Sequence, residues 1–126
     1  MIIDKLIELG CDVRPASPGA IEDLESSWKK IPAQLRAFYQ EADGFITPSG
    51  HTLYDLSSLK ERNETYEVDV YATGYILIGD NSGGLGYLLS TTGDEKYVYS
   101  SDMGDMSPKY FQKESQTLED WIVALE

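Results

Sequence analysis

The chain has 126 residues, 41% of them hydrophobic, enough for one small domain around a single core. Twenty-two acids against ten bases give a formal charge of −12, which repels nucleic-acid phosphates and disfavours direct nucleic-acid binding. A single cysteine, Cys11, excludes an internal disulfide and a cysteine-based metal site.

Ile2, Ile3, Leu6, Ile7 and Leu9 recur at helical spacing, and Gly10 offers a C-terminal cap. Asp4 and Glu8 interrupt that stretch, so it is expected to be neither a secretory signal nor a membrane span. No other apolar run approaches the ~18 residues of a spanning helix, and a soluble, cytoplasmic protein without membrane contact is expected. After a linker from Cys11 to Ala16, Ser17 and Pro18 predict an N-cap and a first helical position. Ile21, Leu24 and Trp28 then share one face. Ile31-Pro32 restarts the chain as a third helix, whose stripe of Leu35, Phe38, Tyr39 and Ala42 is closed by Gly44.

Beyond Phe45 the period changes. Thr52 to Leu56 predicts a short strand, and Ser57 to Asn63 a helical turn. Tyr66, Val68 and Val70 alternate with Glu67, Asp69 and Tyr71, the pattern of a half-buried strand. Tyr75 to Ile78 is an apolar run suited to a strand covered on both faces, and Leu85 to Ser90 a second strand. Thr91 to Glu95 predicts a hairpin loop, Lys96 to Ser101 a strand, and Asp102 to Asp105 another turn. Thr117 caps a closing helix with Asp120 at the capping-box position and a stripe of Leu118, Trp121, Ile122 and Leu125. The sum is an α+β fold: N-terminal helices and a C-terminal helix packed on a curved, mostly antiparallel sheet, one domain over 1–126.

Between the two central strands, Gly79-Asp80-Asn81-Ser82-Gly83-Gly84 invites two catalytic readings. A Ser82–His51–Asp triad fails because such proteases need two barrels, and the extra Asn81 displaces the serine from any oxyanion amide. A phosphate loop fails because its lysine and Ser/Thr are missing and a strand follows where a helix should. A tight β-turn between paired strands is expected, with Gly79, Gly83, Gly84 and Gly86 supplying positive φ or close backbone approach.

Ile21-Glu22-Asp23-Leu24-Glu25, Ile31-Pro32-Ala33-Gln34-Leu35-Arg36-Ala37-Phe38-Tyr39 and Ala42-Asp43-Gly44 together resemble the opening of the SUKH superfamily, which includes fungal cell-wall-synthesis regulators. Glu61 to Tyr66, Ile76 to Gly86, Tyr97 to Tyr99 and the terminal helix are similar to the rest, so the resemblance runs from residue 17 to 125. Asp43 stands where the family often has Asn. The resemblance implies a bacterial immunity protein that neutralises a cognate toxin, often a nuclease, by binding it. It implies no conserved catalytic residue, and no contact residue transfers by motif; no metal or cofactor is expected.

From Glu61 to Asp105 nine acids face only Arg62 and Lys96, a local charge of −7 that would attract a toxin with a basic surface. Because tyrosine dominates hot spots, the candidate partner-binding residues are Tyr66, Asp69, Asp80, Asn81, Glu95, Tyr97, Asp102 and Asp105. Tyr71, Tyr87 and Tyr99 lie in the same segment, and cross-strand packing is the competing role for each tyrosine. Two other classes stay open. One is a non-catalytic regulatory or scaffold protein of cell-wall or stress processes; the other is an enzyme using carboxylates such as Asp80 and Asp102. Homo-oligomerisation is left open.

Overall fold

The computed structural model describes residues 2–92 and 95–126; the expected hairpin tip at Gly93 and Asp94 lies outside them. Helices α1 (Ile2–Glu8), α2 (Ala20–Ser27) and α3 (Ala33–Glu41) come first. Strands β1 (Phe45–Ile46) and β2 (Thr52–Leu53) precede helices α4 (Leu56–Thr65) and α5 (Val68–Tyr71). Strands β3 (Tyr75–Asp80), β4 (Leu85–Ser90), β5 (Val98–Asp102) and β6 (Gln112–Ser115) follow, and α6 (Leu118–Val123) closes the domain.

All strand pairs are antiparallel, and spatial order follows chain order from β1 to β6. In such a meander, alternate connections share an end of the sheet. The β1–β2, β3–β4 and β5–β6 connections therefore sit together: the Ser82 hydroxyl donates to the Gly50 carbonyl at 2.7 Å, and Met103 N–H to the Gly84 carbonyl at 2.8 Å. The β2–β3 and β4–β5 connections meet at the opposite end, where Thr91 N–H donates to the Gly74 carbonyl at 2.8 Å. Register shifts between Leu77 and Gly79 and between Val98 and Tyr99 bend the strands, giving the expected curved α+β architecture.

The central strands are covered on both faces, as their apolar runs require: Ile76, Leu77, Ile78, Leu88 and Leu89 are fully buried. A chain of rings links the helices to the sheet, with Phe38 to Phe45 at 6.0 Å, Phe45 to Trp121 at 6.2 Å and Trp121 to Tyr87 at 4.7 Å between centroids. Helices α4 and α5 lie against β3. Two glycines admit close approach rather than unusual φ. A side chain at Gly79 would run into the Thr52 carbonyl oxygen, and one at Gly86 would come within 2.9 Å of Leu77 Cδ1. Of the turn glycines only Gly84, at φ 96°, needs the left-handed region, and Ser82 adopts it too at φ 64°.

Because β2 is short, its ladder covers only Gly79 and Asp80 of β3; Tyr54 N–H then donates to the Ile78 carbonyl at 2.9 Å, and the Leu77 N–H and carbonyl are left without a strand partner on that edge. Asn63 of α4 fills the gap. Its buried amide accepts from Leu77 N–H at 2.8 Å and donates to the Leu77 and Leu59 carbonyls at 2.9 Å each. A side chain thus replaces a strand.

Three expectations are corrected. The strand over Tyr66 to Tyr71 is helical: Glu67, at φ 52°, breaks the chain between α4 and α5, and Val68 and Ala72 are buried while Val70 is exposed. Ser17 and Pro18 do not begin α2; Ala20 N–H closes a turn on the Ser17 carbonyl at 3.0 Å, and the helix starts after Gly19 at φ 82°. The strand expected over Thr52 to Leu56 stops at Leu53, because the Asp55 carboxylate accepts from Ser58 N–H at 2.9 Å and caps α4. The Thr117 cap of α6 is found as read, accepting from Asp120 N–H at 3.1 Å.

Candidate functional site

Four of the eight candidate residues gather at the three-turn end of the sheet. The carboxylate of Asp80 accepts from the Tyr54 hydroxyl at 2.6 Å and from Ser82 N–H at 2.9 Å. Asn81 accepts from Gly83 and Leu85 N–H at 2.8 and 3.1 Å. Asp102 accepts from Gly104 N–H at 2.7 Å, and Asp105 from the Ser107 hydroxyl at 2.9 Å. These side chains hold their own turns in shape. Among the described residues, none of Asp80, Asp102 and Asp105 pairs with a lysine or arginine; the ion pairs are Arg14–Asp12, Lys29–Asp69, Arg36–Glu25 and Arg62–Glu61.

His51 reaches the same end. Its Nδ1 lies 3.0 Å from the Ser49 hydroxyl, and its ring packs near Tyr87 and Trp121 at 6.2 and 6.4 Å. Ser82 gives its proton to Gly50, so serine and histidine have separate partners. Among the described residues, no group of three His, Cys, Asp or Glu side chains is arranged to hold a metal ion, and no helix is long and apolar enough to cross a membrane.

Glu95 and Tyr97 lie at the other end, with the β4–β5 connection. Glu95 accepts from the Tyr99 hydroxyl, and burial together with that carboxylate pushes the Tyr99 phenol well above its ordinary range. Tyr97 carries the Lys113 ammonium 4.1 Å from its ring centre. Tyr99 sits among Tyr75, Phe111 and Tyr97 at 5.7, 6.0 and 6.1 Å, all edge-on or tilted.

Beside this cluster a cleft of about 530 Å³ opens between α3, the start of α6 and the β4–β5 connection. Ala33, Ala37, Phe38 and Leu118 form apolar lining, with Glu41, Glu95 and Glu119 around it and Lys96 on one wall. Gln34 fixes the walls together: it donates to the Lys96 carbonyl and accepts from Leu118 N–H, both at 2.9 Å. A smaller groove of about 370 Å³ beside β1 and β2 is lined by Asp12, Asp43 and Asp55. Asp43 accepts there from Leu56 N–H at 2.7 Å, and Asp55 is the α4 cap.

The remaining two candidates lie elsewhere. Tyr66 ends α4 with the Arg62 guanidinium 5.9 Å from its ring, and Asp69 on α5 is paired with Lys29. Tyr87 and Tyr99 are buried, so they are packing residues rather than exposed anchors. The eight residues therefore do not form one surface. Sequence reasoning missed the helical contribution to the cleft, Glu41 and Glu119, which read as ordinary exposed helix positions.

The molecule is an α+β domain with acid-bearing turns at one end of a meander and an acid-edged cleft at the other. The SMI1 / KNR4 family (SUKH-1) matches residues 15–124, nearly the whole chain, and the chain belongs to that family. Among curated proteins none matches it.

Proposed function

We propose that the chain is the immunity protein of a bacterial polymorphic-toxin system. It is a cytoplasmic, non-catalytic binder that occludes the working surface of a cognate toxin domain, for which a nuclease is the best-suited class. The observation that carries this reading is the set of carboxylates that have no cationic partner among the described residues, Asp80, Asp102 and Asp105 at one end and Glu41, Glu95 and Glu119 at the other, on a chain of net charge −12. A nuclease presents a basic face because its substrate is polyanionic, and an acidic protein competes for that face and is steered onto it. Membership of the SUKH-1 family supports the same reading.

The test is rescue. The C-terminal domain encoded beside this gene is expressed in bacteria with and without this protein. Restored growth, with a stable 1:1 complex on a sizing column, is the expected result. A toxic neighbour that this protein neither binds nor neutralises would remove the immunity reading for that pair.

A further inference from the structure

Resting on that immunity reading, we propose that the cleft between α3 and the β4–β5 connection receives an arginine side chain presented by the basic partner. The cleft is the larger of two acid-lined concavities, and in the smaller groove beside β1 and β2 the acids are already engaged, Asp43 with Leu56 N–H, Asp55 with Ser58 N–H and Asp12 with Arg14. At the opposite end Asp80 and Asp102 close β3 and β5, and their carboxylates accept the backbone N–H groups that shape the turns there. The cleft, at about 530 Å³, has room for a long side chain.

Its chemistry selects the occupant. Ala33 and Ala37 offer exposed apolar surface to an aliphatic stem, and the buried side chains of Phe38 and Leu118 line the cleft from the core. Glu41, Glu95 and Glu119 come from three separate segments and, among the described residues, outnumber Lys96, an excess of negative charge around that surface. A methylene stem ending in a cation fits this division, and an acidic or purely aliphatic side chain does not. Arginine fits better than lysine because its guanidinium is planar, weakly hydrated and able to fork between carboxylates on different walls. The walls are held in place before binding: Gln34 ties α3 to both the Lys96 carbonyl and the start of α6, and the Tyr99 hydroxyl fastens Glu95. Preorganisation of this kind lowers the ordering cost of capture.

The test titrates the isotope-labelled protein with two blocked peptides, acetyl-Gly-Arg-Gly-amide and its norleucine counterpart, and follows backbone amide shifts. The expected result is a saturable shift centred on residues 33–41 and 118–119 for the arginine peptide and none for norleucine. Glu41→Gln and Glu119→Gln, both at exposed positions, should each weaken binding about two- to fivefold, the range of exposed ion pairs. Ala37→Trp, which fills the cleft, should abolish it. Equal shifts from both peptides, no saturation, or shifts centred on residues 80–84 and 102–105 would each overturn the assignment. No toxin enters this titration, so its failure leaves the immunity reading to the rescue assay.

Discussion

Asn63 is the most exacting point in the fold. Replacing it with Leu keeps the volume and removes the amide that closes the open edge of β3. Leu77 would lose the acceptor of its N–H and the donor to its carbonyl, and the Leu59 carbonyl would lose a second donor. The Leu59 carbonyl lies within α4, so the two Leu77 groups carry the cost. Each orphaned buried group costs about 1–3 kcal/mol, so Asn63→Leu should lose about 2–6 kcal/mol. Against a typical domain stability of about 5–15 kcal/mol, that is a large fraction of the whole. Urea unfolding followed by tryptophan fluorescence should show the midpoint falling by about 1–3 M at unchanged slope, with slopes near 2 kcal/mol/M. Asn63→Asp keeps the acceptor for Leu77 N–H but loses both donors and buries a charge, so it should be at least as damaging at neutral pH. A loss below about 0.5 kcal/mol for Asn63→Leu at unchanged slope would refute the argument, because water or a shifted β2 must then satisfy Leu77.

Gly79→Ala drives a methyl into the Thr52 carbonyl and should block β2–β3 pairing, whereas Gly84→Ala meets open space and should cost only about 1–2 kcal/mol for its left-handed backbone. Their thermal midpoints, measured side by side, should differ clearly, and equal values would contradict the clash. Tyr39, Tyr54, Tyr87 and Tyr99 all have phenols raised above the ordinary value of 10.0, chiefly by burial. A phenol raised on folding favours the folded state while it keeps its proton. Stability should therefore be whole below about pH 10 and fall as pH climbs from there toward the raised values, which urea midpoints at a series of alkaline pH values would reveal. Thr117→Ala removes the cap of α6 and should cost about 1 kcal/mol in the same unfolding assay. Since Glu95 lies at the cleft and Asp102 and Asp105 at the opposite end, Glu95→Lys should slow association with the partner and flatten its salt dependence more than Asp102→Lys with Asp105→Lys does. Stopped-flow rates at two ionic strengths separate the outcomes.

The helices with an apolar stripe and a cap or stop were legible: α3 and α6 bury theirs, and α1 buries Leu6 with Ile2, Ile3 and Leu9 half-covered, although Ile7 of the expected stripe is exposed. What failed shows where pattern gives out. Val68, Val70 and the tyrosines around them alternate as a strand would, yet the burial that counts runs from Val68 to Ala72, one helical turn apart. Strand β6, Gln112-Lys113-Glu114-Ser115, carries no apolar signal because it is a largely exposed edge, and β1 has two residues, too few for any period to show. The candidate site divided for a topological reason. Asp80 and Asp102 end odd-numbered strands and Asp105 follows one, whereas Glu95 follows an even-numbered strand, so a meander must place them at opposite ends. That parity was available only once the strand order was known. The cleft was hidden further, since its glutamates belong to segments that meet only through the packing of α3, α6 and the β4–β5 connection.

The meander has a kinetic consequence. Each strand pairs with its neighbour in the chain, so β3 to β6 can zip outward from the β3–β4 hairpin through short connections, while β1 and β2 must join across the helices α4 and α5. The distant parts of the chain meet late, where α1 packs on α6 and Trp121 lands between Phe45 and Tyr87. The final helix is then the latch on a sheet whose central strands assemble locally. The protein should acquire its strands before its tightly packed interior, and tryptophan burial should lag behind β-structure in a refolding trace.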